Sequence, residues 1–461
     1  MPDPYWSDDV VSLHLGNCLD VLREMPDASM DAVCTDPPYA LAELSTALVL
    51  QAIGAWMTGD RDHVPDGPGG FMGKRWDRFV PPPGVWDECL RVLKPGGHLL
   101  AFAGSRTVDL MGLSIRIAGF ELRDGIEWIY GSGFSKGINV SKAIDKAAGA
   151  EREVVGASPF ASRKPRGTWT GEVYGDEPGH GQGPVVTAPA TEDAGRWEGW
   201  NTTLKPAHEP IIVARKPFTG TVISNILEHG TGALNIAACR VEPTRESRPR
   251  VGEASQDRRY TEKGGTDFAP LPGVRGGAPE GRWPTNLVFS HSASCVEDGP
   301  CEPDCPVAEL DRQSGVRPGS HSQRDLNAYT DRNAVYGRGV GNVPTGERAG
   351  FNDAGGASRF FPVFRYEAKA PSSERPKLDD GTAWPTVKPV ALMRWLVRLV
   401  TPPGGLVLDP FAGSGTTAEA CVVEGFDCVL IDQDSIAAEL IKRRLSKPLQ
   451  PSLFGEVNPD A

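Results

Sequence analysis

Asp36-Pro37-Pro38-Tyr39 directly follows the short strand-like run Asp31 to Thr35, and its residue types suit work on an exocyclic amine. An amine about to accept a methyl group needs acceptors for its two hydrogens, so that its lone pair faces the incoming carbon. Asp36 offers a carboxylate oxygen and Pro37 a backbone carbonyl. Consecutive prolines fix φ near about −65° and remove competing N–H donors, which holds that carbonyl in place. Tyr39 offers a face on which a base taken out of a duplex can stack. A rigid turn after a strand would use the same four residues, so the tetrapeptide by itself leaves both readings open.

At the other end of the chain, Asp409-Pro410-Phe411-Ala412-Gly413-Ser414-Gly415-Thr416 lies between a strand-like and a helix-like segment. Gly413 and Gly415, lacking Cβ atoms, let the backbone approach a nucleotide-like ligand. Asp432 ends the next strand, where a carboxylate can accept from both hydroxyls of a ribose. The loop has no lysine of the phosphate-gripping kind and lacks the full dinucleotide fingerprint. A ligand with a ribose and no phosphates fits, and S-adenosylmethionine is such a ligand. A tight packing turn is the plainer reading of the glycines.

The elements that must position these residues alternate. Val11 to Leu15 and Asp31 to Thr35 read as strands, Asp87 to Leu93 as a helix, and Lys94-Pro95-Gly96-Gly97 as the turn closing it. His98 to Ala103 is the next strand, Arg106 to Ala118 a helix, and Phe120 to Ile129 a further strand. Pro210 to Ala214 returns as an apolar strand. Near the C-terminus, Val390, Met393, Leu396, Val397 and Val400 share one helical face. Strand Leu406 to Leu408 then leads into the glycine loop, with a helix to about Glu424, a strand Cys428 to Ile431 and a helix Ser435 to Leu445. Such alternation predicts an α/β fold with a largely parallel sheet, its core split between the two ends of the chain.

Composition sets wider limits. The 461 residues suffice for two or three domains or for one enlarged core with insertions, and 54 glycines and 41 prolines predict long loop-rich tracts. No stretch approaches the ~18–20 apolar residues of a membrane span, and Met1 to Trp6 lacks the order of a secretory leader. Nine cysteines, an odd number, fit a reducing cytoplasm better than a disulfide scaffold. The net charge of −12 argues weakly against nucleic acid. Basic residues nevertheless recur at Arg163, Lys164, Arg166, Arg240, Arg245, Arg248, Arg250, Arg258 and Arg259, interleaved with acids.

Taken together, the two motifs resemble the amino-methylating DNA methyltransferases in their permuted arrangement, with the D-P-P-Y catalytic motif ahead of the F-x-G-x-G cofactor motif. Thr386-Val387-Lys388-Pro389 matches the family's T-x-K-P segment, and Phe71 to Asp77, Leu93 to Gly97 and Lys205 to Pro210 resemble other recurrent stretches. The resemblance covers roughly 11–130, 204–217 and 384–445. It implies a Rossmann-like class I methyltransferase core, S-adenosylmethionine as cofactor, and Asp36, Pro37, Pro38 and Tyr39 as the catalytic motif. It further implies cofactor contacts from Asn17, Thr386, Lys388, Asp409, Phe411, Gly413, Ser414, Gly415, Thr416 and Asp432. Two positions depart from it: Asn17 stands where many members have an acid, and Trp384 where a histidine is common. Adenine N6 is the favoured target, because cytosine-N4 members more often carry serine at the position of Asp36. Cytosine N4 in DNA is the alternative target, and RNA, a protein amide, or DNA binding without catalysis are the further readings. Double-stranded DNA is the expected partner; a homodimer and a cognate restriction nuclease stay open.

The core is thus expected from residues 1–217 and about 366–447, with 131–203 as an extended loop, 218–365 as a target-recognition region and 448–461 as a tail. His291, Cys295, Cys301 and Cys305 could hold a structural zinc, although Pro300, Pro303 and Pro306 equally suit an ordinary rigid loop. The chemistry calls for no catalytic metal, and none of the site residues is assigned as a metal ligand.

Overall fold

In the computed structural model, described residues are 2–41, 44–67, 69–70, 75–131, 137–157, 185–241, 254–255, 271–272, 281–292, 295, 301, 305–318, 354–364 and 376–446. The segment Phe71 to Lys74, Arg163, Lys164, Arg166, Arg245, Arg248, Arg250, Arg258, Arg259 and the tail 448–461 lie outside them.

The N-terminal half runs β1 (Trp6–Ser7), β2 (Val11–Leu15), α1 (Cys18–Glu24), β3 (Met30–Thr35), α2 (Thr46–Met57), α3 (Pro83–Val92), β4 (Leu93–Phe102), α4 (Val108–Ile117) and β5 (Glu121–Ile129). Residues 132–207 make a separate compact unit with α5 (Val140–Ala147), the hairpin β6 (Val154–Ala157) and β7 (Val185–Thr187), and α6 (Glu192–Arg196). Within it the buried Asp145 accepts from Ala190 N, Thr191 N and Arg152 Nη1. The described part of this tract is therefore structured, where an extended loop was expected.

The chain returns through β8 (His208–Arg215) and α7 (Val222–His229), then the two-residue strands β9 (Ala254–Ser255) and β10 (Leu271–Pro272). Next come β11 (Leu287–Ser290), α8 (Pro306–Ser314), the paired β12 (Arg317–Pro318) and β13 (Ala354–Gly355), and β14 (Val363–Phe364). The C-terminal part is α9 (Val390–Val400), β15 (Leu406–Asp409), α10 (Thr416–Glu424), β16 (Asp427–Asp432) and α11 (Ser435–Leu445).

Ten strands form one sheet in the order β1-β2-β16-β15-β3-β4-β8-β5-β11-β14. Only β1 and β8 run antiparallel to their neighbours. This is the mostly parallel, helix-flanked, Rossmann-like α/β architecture expected. The C-terminal strands β15 and β16 insert between β2 and β3, which is the physical form of the permuted motif order. The pleat explains both cores. Ala32 and Cys34 of β3 with Leu100 and Phe102 of β4 pack beneath α9 and α10. Val33, Leu99 and Ala101 face the other way, into the layer of α1 to α4.

Three local expectations are revised. The helix before β4 begins at Pro83, whose fixed φ suits a first turn. Lys94 to Gly97 does not end a helix; it lies inside β4, as an irregularity of the β3–β4 ladder where Lys94 Nζ donates to Asp31 Oδ1 at 2.6 Å. Between 218 and 365, β11 and β14 belong to the main sheet and α7 packs on β4, so the described parts of that tract are not a module apart from the core.

Candidate active site

Strands β3 and β15 are parallel neighbours, with Leu408 opposite Val33, so their C-terminal ends deliver the two motifs side by side. Thr35 Oγ1 donates to Asp409 Oδ1 at 2.6 Å, Phe411 N donates to the same oxygen at 3.1 Å, and Thr417 Oγ1 donates to Oδ2. Asp409 is 2% exposed, and burial pushes its carboxyl up to about 6, with the Thr35 and Thr417 bonds opposing. Both its oxygens are taken, so it acts as a strut tying the glycine loop to β3.

The loop itself is shaped by two left-handed residues. Gly413 has φ +53°, and a Cβ there would meet Trp384 Nε1 at 2.9 Å; Gly415 has φ +76°, and a Cβ would meet Ile441 Cγ1 at 2.8 Å. Only glycine satisfies both the torsion and the space. Gly413 N donates to Asp432 Oδ2 at 2.8 Å, while Asp434 N donates to Oδ1 at 2.9 Å. Burial pushes Asp432 up to about 6 despite these bonds. Ser414 and Thr416 are buried, and Arg444 Nε donates to the Ser414 carbonyl at 2.7 Å. Phe411 is half-buried with its ring tilted toward Trp86. Asn17 caps α1, its side-chain oxygen accepting from Leu19 N at 2.9 Å, and Gly16 N donates to the Asp432 carbonyl. Thr386 is exposed.

Around Asp36 the side chains form a closed polar group. Tyr39 Oη lies 2.7 Å from Asp36 Oδ1 and 3.0 Å from Glu209 Oε2, so its single hydroxyl proton serves one of the two carboxylates at a time. Lys388 Nζ lies 2.6 Å from Asp36 Oδ2 and 3.3 Å from Glu209 Oε2. It also sits 4.8 Å from the Phe102 ring centroid and 5.2 Å from that of Tyr39, where aromatic faces favour a cation. Burial alone would depress Lys388, but the Asp36 and Glu209 carboxylates more than offset it and hold the ammonium above the usual lysine value. Tyr39 is pushed well above the ordinary phenol range by burial and by the same two carboxylates, so it stays a donor.

The backbone after Pro38 is held with equal care. Ala40 has φ +58°, a conformation a non-glycine residue adopts only when its surroundings impose it. Asp77 imposes it by accepting from Tyr39 N, Ala40 N and Leu41 N at 2.8, 3.0 and 3.1 Å. Thr107 Oγ1 donates to the Tyr39 carbonyl at 2.6 Å. Pro37 is buried and Pro38 half-buried.

The structure thus joins Asp36, Tyr39 and Lys388 directly, and joins the glycine loop to Thr35, Trp384 and Asp432. Glu209, Asp77, Thr35, Thr107 and Thr417 are additions. Glu209 and Asp77 fall inside stretches the motif resemblance marks, but neither residue type nor spacing announces which side chain each would meet. The threonines carry no sequence signal.

A family model described as DNA methylase matches residues 30–443, a span that includes Asp36, Tyr39, Glu209, Lys388 and the glycine loop. Type II methyltransferase M.BamHI of Bacillus amyloliquefaciens is 30% identical over 100 residues, covering 22% of this chain and 19% of that protein. The chain therefore spans, in that alignment, about a fifth of the relative's length. Among solved structures, the PvuII DNA methyltransferase (cytosine-N4-specific) is similar at TM-score 0.40 and 13% identity, over 99% of this chain and 90% of that one. The M1.HpyAVI–SAM complex is similar at TM-score 0.33 and 12% identity, over 94% and 99%. The family match, extending over both halves of the split core, carries the assignment: this chain belongs to the DNA methylase family whose model spans the N6 and N4 enzymes.

Proposed function

We propose that the chain transfers a methyl group from S-adenosyl-L-methionine to the N6 amine of adenine in double-stranded DNA. The observation that carries this reading is the Asp36 carboxylate, gripped by Tyr39 and Lys388 beside the strand end that bears the glycine loop. Family membership supports DNA as substrate, and the aspartate at the motif's first position supports adenine over cytosine N4.

The residues fit the cofactor. Gly413 and Gly415 let the loop turn tightly against Trp384 and Ile441, and Asp432 offers its carboxylate at the end of β16. Phe411, Thr386 and Asn17 complete the candidate contacts. The bound cofactor supplies a methyl already activated by its sulfonium, so neither a metal nor a covalent enzyme intermediate is called for.

The protein's work is positioning and exclusion of water. An amine hydrogen replaces one of the donors now held by Asp36, and the Pro37 carbonyl takes the second. Held by these two acceptors, the amine would present its lone pair to the methyl group that the bound donor would supply. The methylated amine sheds its proton to the carboxylate group and on to water. Lys388 balances Asp36 and Glu209, keeping two acids in one small space.

Incubating the chain with duplex DNA and methyl-labelled cofactor, then digesting to nucleosides, tests the reading. N6-methyladenine is expected. N4-methylcytosine alone would overturn the choice of base, and label in structured RNA but not in duplex DNA would overturn the choice of substrate.

A further inference from the structure

We propose that His291, Cys295, Cys301 and Cys305 form a structural zinc site, independent of the methyl-transfer reading. Their four ligand atoms all lie within 4.8 Å of one another, although the residues span a segment of irregular spacing. Cys301 Sγ is 3.5 Å and Cys305 Sγ 3.6 Å from His291 Nδ1. A tetrahedral zinc with Zn–N of about 2.05 Å and Zn–S of about 2.3 Å places nitrogen and sulfur about 3.6 Å apart. Both measured separations match that spacing. Sulfur pairs in such a site sit about 3.8 Å apart, so the group closes on an ion with shifts of at most about 1 Å.

The surroundings favour the metal. His291 directly follows β11, and its N–H donates to the Phe364 carbonyl of β14 at 3.0 Å. Cys305 stands at the N-cap position of α8, with a proline in the first turn, which fixes its place at the start of that helix. Among the described residues, Phe289, Cys305 and Val307 form a small buried cluster here, with partly buried neighbours such as Phe361 and Val363 packed against it. A metal crosslink would tie the end of β11 to the start of α8 in addition to these contacts. Three thiolates, a neutral imidazole and a divalent ion leave one net negative charge, and binding releases the thiol protons.

The test uses the full chain, untagged and purified under reducing conditions. Elemental analysis should find about one zinc per chain, and replacement by Co²⁺ should give the visible bands of tetrahedral thiolate-bound cobalt. Cys301→Ser, at a half-buried position, should lose most of the metal and alter those bands. Absence of bound zinc after reconstitution together with a bandless cobalt titration would overturn the proposal. So would full zinc content in Cys301→Ser, or a disulfide within the cluster in the metal-free chain. Because the cobalt spectrum is read on the unaltered protein, a variant that fails to fold does not spare the proposal.

Discussion

Glu209→Gln isolates the part of the site that motif reading does not reveal. The change keeps size and shape and removes one of the two carboxylates facing Lys388, that at 3.3 Å. At an effective dielectric of ~20 the lost attraction is about 5 kcal/mol gross. The side chains of Lys388 and Glu209 are 11% and 23% exposed, Asp36 remains at 2.6 Å, and the amide oxygen still accepts a bond. Screening and these residual contacts reduce the net effect to about 1–2 kcal/mol, or roughly 5- to 30-fold in rate. The direction follows from geometry. Lys388 then leans on Asp36 alone and competes with the incoming amine for its oxygens, so kcat falls while cofactor Kd and DNA KM stay within about twofold. Steady-state transfer of labelled methyl, with calorimetric titration of the cofactor, reads both. An unchanged kcat, or a Kd that rises as much as kcat falls, would refute the reasoning.

Other outcomes follow from the same contacts. Asp432, pushed up to about 6, is ionised only above that pH, so cofactor affinity should weaken about tenfold between pH 7.5 and 5, and Asp432→Asn should flatten the dependence. Gly413→Ala places a methyl against Trp384 at φ +53°; a cost of about 1–2 kcal/mol should show as weaker cofactor binding and a lower Tm. Asp77→Ala strips three backbone N–H groups of their acceptor and should abolish methyl transfer while leaving cofactor binding measurable. Burial first, then the Arg215 and Arg123 cations, pushes His98 down to about 4, below its unfolded value. The unfolded chain therefore binds more protons between about 4 and 6.5, and stability falls as pH drops through that window. Asp409 and Asp432 act with the opposite sign there, so the comparison is with His98→Gln. Unfolding should show the wild type losing about 2 kcal/mol more than the variant between pH 7.5 and 5.

How much of this was legible in the sequence depends on locality. The D-P-P-Y turn and the glycine loop are contiguous, and each declares its chemistry through residues that few other turns use. The buried strands β3 and β15 and the helix α9 were legible because apolar pattern and bounding prolines coincide. The pairing of β15 with β3 follows from the motif order but from no local pattern. Lys388 and Asp36 meet across 352 positions, and Glu209 joins them from an antiparallel strand whose placement between β4 and β5 no period announces. β11 escaped notice because four residues carry too little periodicity to be told from loop. Lys94 to Gly97 misled because a proline–glycine pair marks a turn and a ladder irregularity alike.

Single-turnover methyl transfer from pre-bound cofactor to duplex DNA, comparing the unaltered chain with Asp36→Ala, tests the central claim most directly. The account predicts cofactor affinity within about threefold for both and transfer slower by about 100-fold or more in the variant. Equal transfer rates, or no cofactor binding by either protein, would contradict it.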